Sequence, residues 1–250
     1  RRVMEIAASC SLLVEGQHGS RKHQQAILCH LNKILLADYF RLRRSSACYV
    51  LVDATGCYDR VVHAVIILIL ACYGLDICHA RILFAVLQKS RHSIKTGFGE
   101  SSPMYGPEFP PLQGWGQVNG QAPTGFALLT SVLFAIMENK GHAYQLVSAI
   151  TKQVVHINGQ AFVDDVDLIF GSSETQTPAT DLIAECQSAL NRWCGLLWST
   201  GGLIVPRKSK FWLIEFDWDG NDFIYKKKDE LQGELHVTDG NQHSVPIQQL

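Results

Sequence analysis

The sequence lacks several motifs that assign a function directly. Its eight cysteines form no Cys-x-x-C pair, its ten histidines form no His-Glu-x-x-His, and it has no Gly-Lys-Ser/Thr step. Zinc ribbons, metalloproteases with a His-Glu-x-x-His helix and P-loop proteins are therefore excluded. Most cysteines lie in apolar surroundings, which predicts buried free thiols in a reducing, intracellular compartment.

Long apolar segments are also missing, and because the stretch up to Glu15 has only a weak apolar core, we expect no secretory signal. The longest apolar run, 61–73, is interrupted by His63 and is shorter than the ~20 residues that cross a bilayer, so we expect a buried helix and no membrane contact. Charged residues make up only 18%, which argues against a disordered or coiled-coil protein. Because the chain begins without Met, we expect a fragment or a processed piece.

Charge is distributed unevenly, although the formal net charge is −1. Residues 1–95 carry 13 Lys and Arg against six Asp and Glu, whereas the remaining residues carry nine against 17. This pattern suits an enzyme that handles a polyanion on one side and concentrates carboxylates on the other. Uneven surface charge without a function is the alternative.

The order of the predicted elements indicates an α+β fold, with helices on one face of an antiparallel sheet. An apolar strand, 48–52, precedes Asp53; one hairpin spans 154–170, and another surrounds the Asp-Gly-Asn turn at 219–221. Apolar spacing and capping signals predict helices over 20–42, 58–73, 76–89, 124–139 and 177–198.

Three aspartates lie where predicted strands end or turn. Asp53 follows a buried strand, and Asp164 and Asp165 lie at the tip of a hairpin. Carboxylates held together repel one another unless a cation lies between them, and Mg²⁺ prefers such oxygen ligands. Each residue taken alone has a structural alternative, because Asp is common in turns and at helix caps.

Five segments stand in order along the chain and carry further signals. They read EGQHGSRKHQQAI (15–27), DATGCYD (53–59), PLQGWGQVNGQAPTGF (111–126), FVDD (162–165) and GGLIVPRKSKFW (201–212). Together they resemble the conserved motifs of reverse transcriptases, and most closely those of LINE-like (non-LTR) retrotransposons. Asp53 with Tyr58 five residues later is similar to motif A, and the Asp164–Asp165 pair to motif C. The other three segments are similar to the fingers–palm connection, motif B and motif D.

The resemblance implies a polymerase palm with part of the fingers. Residues 1–45 would be partial fingers and the fingers–palm connection, and residues 46–212 would be the palm with motifs A to D. Residues 213–250 would form a C-terminal hairpin and the start of the connection to the thumb.

It also implies a catalytic centre. Asp53, Asp164 and Asp165 would hold two Mg²⁺ ions, and Mn²⁺ also accepts such oxygen ligands. Lys208 would approach the triphosphate and could protonate the departing pyrophosphate. A solvated lysine between Arg207 and Lys210 is the alternative for Lys208.

Substrate contacts follow from the same matches. Tyr58 would lie under the incoming sugar and clash with a 2′-hydroxyl; a core aromatic is the alternative. Gln117 would contact the incoming nucleotide. Arg21 and Lys22 are candidates for backbone or phosphate contacts, with solvated first-turn helix residues as the alternative.

Motif B has two registers. Gln113–Gly114 keeps the literal Gln-Gly pair, whereas Gln117 has Pro123 at the family spacing but is followed by Val118. We favour Gln117, because the spacing sets where the next helix begins.

The resemblance implies an RNA-directed DNA polymerase that uses an RNA template, a DNA primer and a dNTP, with the nucleus as its location. One alternative is a catalytically decayed or co-opted relic that binds nucleic acid or a partner. Another is a different palm-fold enzyme, either a nucleotide cyclase or an RNA-templated RNA polymerase. The cyclase signature Gly-Gly-Asp/Glu-Glu-Phe is absent, and Tyr58 disfavours ribonucleotides.

Overall fold

The computed structural model describes residues 2–102, 113–116, 120–148, 150–175 and 177–250. Short 3₁₀ helices occupy Ala179–Leu182 and Lys228–Glu230. The α-helices are α1 (Arg2–Ser9), α2 (Ala26–Arg43), α3 (Cys57–Arg60), α4 (His63–Cys72), α5 (Ile77–Lys89), α6 (Ala122–Asn139) and α7 (Ile183–Ser199). The strands are β1 (Ala47–Val52), β2 (Ala54–Thr55), β3 (Lys95–Thr96), β4 (Gly99–Glu100), β5 (Tyr144–Val147), β6 (Val154–Ile157), β7 (Gly159–Phe162), β8 (Asp165–Gly171), β9 (Leu203–Ile204), β10 (Lys210–Ile214), β11 (Phe216–Trp218), β12 (Phe223–Tyr225), β13 (Leu235–Thr238) and β14 (Ser244–Gln249).

A six-stranded sheet organises the molecule in the order β13-β14-β10-β1-β8-β7. Its pairs are antiparallel except β10–β14, which is parallel. Strand β1 lies between β10 and β8 and is buried almost throughout, which explains its unbroken apolar sequence. The predicted α+β architecture, a central sheet with packed helices, is confirmed.

Helices cover both faces of this sheet. Alternate residues of β1, Cys48 and Val50, point into a core shared with residues of α6 and α7, including Phe134 and Trp193. Tyr49, on the opposite face, packs with α2 residues. Helix α2 therefore covers a second face that the sequence pattern did not predict.

Helix α2 begins later than predicted. Ser20 and His23 both have positive φ, at 57° and 63°, so the chain cannot start a helix at Ser20. Ile27 and Leu31 are exposed, and the residues that pack on the sheet lie further along the helix. The buried residues of α2 are Cys29, Leu36, Ala37 and Phe40.

Other boundaries follow from hydrogen bonds between distant segments. The single helix predicted over 58–73 is interrupted at Val61 and Val62, because the Val62 N–H donates to the Thr200 carbonyl at 2.9 Å instead of continuing a helix. The helix predicted to begin at Thr177 begins instead with a 3₁₀ turn capped by Pro178, and the Ala179 N–H donates to Glu215 Oε2 at 2.7 Å. Helices α5 and α6 match their predicted positions within two residues.

Helix α6 is long and apolar enough to cross a membrane by length and composition alone. However, 61% of it is buried inside the protein. Its residues Leu133, Phe134 and Met137 belong to the main core. We therefore interpret α6 as a core helix.

Candidate active site

The register of β1 and β8 brings two of the predicted carboxylates together. Val52 pairs with Val166 at the end of the ladder, so Asp53 and Asp165 are the adjoining residues on the two strands, and the charge of Asp53 acts on Asp165. The Asp53 N–H donates to Ser209 Oγ at 3.2 Å, and its carbonyl accepts from the Val205 N–H at 2.9 Å. These bonds fix the strand end that carries Asp53.

Asp164 lies beside them in the turn between β7 and β8. Its two carboxyl oxygens accept hydrogen bonds from different donors: the Tyr58 hydroxyl at 3.2 Å and the Cys57 thiol at 3.4 Å. The preceding residue, Val163, has a φ of 64°. That conformation is strained for a β-branched side chain.

The charges of these groups act on one another. The pKa of Asp165 is raised above its ordinary value, first by partial burial of the carboxyl and then by the charges of Asp164 and Asp53. Asp167 adds to this rise, and Lys33 of α2 opposes it. Lys33 Nζ also forms an ion pair with Asp167 Oδ2 at 2.5 Å.

Both donors to Asp164 stay protonated at neutral pH. Burial, followed by the charge of Asp164, raises the pKa of the Cys57 thiol to about 12. The same causes, in the same order, raise the pKa of Tyr58. Each side chain therefore remains a hydrogen-bond donor to the carboxylate.

Lys208 lies at the site as well. Its Nζ is 3.6 Å from Asp53 Oδ2, while its side chain is 67% exposed. The segment before it is tied to the strand end of Asp53 through the β2–β9 pair. The Lys208 side chain can therefore contact a ligand beside Asp53 without any movement of the backbone.

The donor chemistry of the three aspartates fits a hard divalent cation, because all three offer carboxylate oxygens at one end of the sheet. In the part of the chain that the structure describes, however, no three His, Cys, Asp or Glu side chains form a group that could hold a metal ion. Asp164 is bonded to Tyr58 and Cys57, and Asp53 is paired with Lys208. A shared cation would have to replace these partners.

Tyr58 is held between α6 and the segment 114–115. Its ring meets Phe126 edge-on, at 5.8 Å between centroids, and its carbonyl accepts the Trp115 N–H at 2.7 Å. A Cβ at Gly114 would lie 2.1 Å from that carbonyl oxygen, so only glycine fits there. Gln117 lies outside the described residues, and its role stays a prediction.

Arg21 and Lys22 differ in their surroundings. Arg21 Nη1 donates to the Val14 carbonyl at 3.2 Å and to the Gln17 carbonyl at 3.1 Å. Lys22 is exposed. Arg21 therefore stabilises the loop in which it lies, whereas Lys22 is open to solvent.

Sequence reasoning missed four residues around the carboxylates. Cys57 stands next to Tyr58, and Asp167 follows Asp165 at the two-residue spacing that places both on one face of a strand. Lys33 carried no sequence signal. Gln17 lies within the 15–27 segment, and its sequence position alone predicts no role for it.

The sequence matches no family model and no curated protein. Among solved structures, this fold is similar to telomerase from Candida tropicalis in complex with a TWJ fragment of telomeric RNA, with a TM-score of 0.57 and 11% identity over 93% of this chain and 37% of that one. The corresponding Candida albicans complex gives a TM-score of 0.51 and 11% identity over 98% of this chain and 38% of that one.

Telomerase is related to reverse transcriptases, so these neighbours show a reverse-transcriptase-like fold. The chain spans little more than a third of the length of either telomerase chain.

The raised pKa of Asp165 predicts that Asp165→Asn stabilises the protein at pH 7. Because the folded-state pKa is above the unfolded value, ionisation opposes folding, and this penalty disappears as pH falls through the folded-state pKa. The gain should be less than about 1 kcal/mol, because the side chain is exposed and water screens its neighbours.

Urea unfolding at pH 7 and pH 3 measures this effect. The gain should be present at pH 7 and absent at pH 3. Asp217→Asn, which removes a carboxylate facing Lys226 at 3.5 Å, is the control and should give no gain. Destabilisation by Asp165→Asn at pH 7 would contradict the electrostatic account.

Proposed function

We propose that this protein is an RNA-directed DNA polymerase that transfers a deoxynucleotide from a dNTP to a primer 3′-hydroxyl. The observation that carries the proposal is the β1–β8 register, which makes Asp53 and Asp165 the adjoining residues on the two strands, with Asp164 in the neighbouring turn. Carboxylates at the end of a rigid sheet suit a reaction that depends on positioning and charge neutralisation.

In this proposal, Asp53, Asp164 and Asp165 would hold two Mg²⁺ ions. Bound there, the ions would supply activation of the attacking 3′-oxygen and charge stabilisation of the leaving pyrophosphate. The chain's own contribution is alignment, because Asp53 and Asp165 start from fixed strand ends. Lys208, beside Asp53 on an exposed stem, is placed to contact the triphosphate and to protonate pyrophosphate.

Tyr58 is the proposed sugar gate. Its ring packs edge-on against Phe126, and its carbonyl accepts the Trp115 N–H, so it forms a rigid wall next to a catalytic carboxylate. A 2′-hydroxyl approaching such a wall would clash, whereas deoxyribose would fit.

The proposed partners are an RNA template and a DNA primer. The two telomerase neighbours were solved with an RNA fragment, and residues 1–95 of this chain carry a basic excess. Both observations support nucleic-acid binding. An origin in a LINE-like retrotransposon and a nuclear location are proposed on the order of the five motifs.

A second candidate is a decayed reverse transcriptase that binds nucleic acid without catalysis. One observation favours it: the described carboxylates form no three-ligand group. Binding of nucleic acid without dNTP incorporation would select this candidate.

Primer extension by the intact protein tests the proposal. Asp164→Asn removes a carboxylate from the centre and should lower Mg²⁺-dependent extension by about 100-fold or more. Asp217→Asn, which changes an exposed carboxylate on β11, should retain the wild-type rate. Unchanged extension by Asp164→Asn would refute the assignment.

The sugar gate is tested by comparing dNTP with rNTP incorporation. Tyr58→Ala opens the wall and should raise relative rNTP use by about tenfold or more. Tyr58→Phe keeps the ring and loses only the hydrogen bond to Asp164, so it should keep the discrimination. If rNTP use does not rise in Tyr58→Ala, the gate lies elsewhere.

A further inference from the structure

Gln17 is fully buried and binds the turn that carries Asp164. Its Oε1 accepts the Val163 N–H at 3.2 Å, and its Nε2 donates to the Val163 carbonyl at 3.3 Å. The same amide donates to Thr130 Oγ1 on α6 at 2.5 Å and accepts the Gly19 N–H at 2.7 Å. One side chain thus joins the turn to a core helix.

The turn needs such a partner. Val163 is a β-branched residue at a φ of 64°, a conformation that persists only when its surroundings hold it. Both polar backbone groups of Val163 are bound by the Gln17 amide. The clamp therefore acts on the residue immediately before Asp164.

The backbone around Gln17 is shaped to reach this turn. The His18 N–H donates to the Ala161 carbonyl at 2.8 Å, and the Ala161 N–H donates to the Gly16 carbonyl at 2.7 Å. A Cβ at Gly19 would lie 2.3 Å from the Val163 nitrogen. The segment approaches the hairpin so closely that a side chain at position 19 does not fit.

We infer that Gln17 is a positioning residue that holds the Val163–Asp164 turn beside the strand ends that carry Asp53 and Asp165. The inference rests on the proposed function for its catalytic consequence. Its structural content, the clamp on Val163, does not depend on that function.

Leucine at position 17 retains the bulk and removes all four hydrogen bonds. In the intact protein, Gln17→Leu should raise the hydrogen-exchange rate of the Val163 amide by about tenfold or more. It should also weaken Mn²⁺ binding, followed by electron paramagnetic resonance, by about 10- to 100-fold. The kcat should fall by about 100-fold, while KM for primer–template stays within about twofold.

Asn158→Leu is the matched control. Asn158 is also buried, and its Nδ2 donates to the Phe134 carbonyl at 2.7 Å rather than to the backbone of Val163. This variant should lose stability but keep Val163 protection and Mn²⁺ affinity. A general weakening of the core would affect both variants alike.

A second variant tests the mechanism by rescue. Glycine adopts positive φ without strain, so Val163→Gly added to Gln17→Leu should recover about tenfold or more of the lost kcat. A Gln17 that served only global stability would not be rescued by this change.

The outcomes separate the two claims. If the wild type neither binds Mn²⁺ nor extends a primer, the proposed function fails. Faster hydrogen exchange of the Val163 amide in Gln17→Leu than in the wild type would then still support the clamp. If Val163 exchange in Gln17→Leu equals that in Asn158→Leu, or if Val163→Gly restores nothing in an active enzyme, the inference is overturned.

Discussion

The antiparallel register between β1 and β8 is the constraint on which the candidate site depends. Side chains alternate along a strand, so a slip of one residue would move Asp53 to the opposite face of the sheet. Burial on both faces prevents that slip: Val50 points towards the core of α6 and α7, and Tyr49 towards α2. The meeting of Asp53 with Asp165 is therefore a consequence of core packing.

The same arrangement accumulates negative charge, and several neighbours offset it. Tyr58 and Cys57 donate to Asp164, and Lys208 stands beside Asp53. Val163 also has a strained conformation. The site therefore has a fixed geometry that lowers the local stability of the fold. Mutually repelling carboxylates beside a strained turn are expected where a positively charged ligand completes the arrangement.

Many of the helices and strands were predictable from sequence, because they depend on local signals. The apolar strand before Asp53 and the helix predicted over 76–89 both follow from residue type and spacing. The break at Val61 was not predictable, since it depends on a hydrogen bond to Thr200. The hydrogen bonds of Gln17 to Val163 were equally hidden, because they join residues 146 positions apart.

The central claim is that Asp53 and the turn bearing Asp164 share a divalent cation. Crystals of the intact protein grown with Mn²⁺ and a non-hydrolysable dNTP test it through anomalous scattering. The account predicts a manganese peak about 2.1 Å from carboxylate oxygens of both residues, with Lys208 moved away from Asp53. A map without that peak, with Asp53 still on Lys208 and Asp164 still on Tyr58, would contradict it.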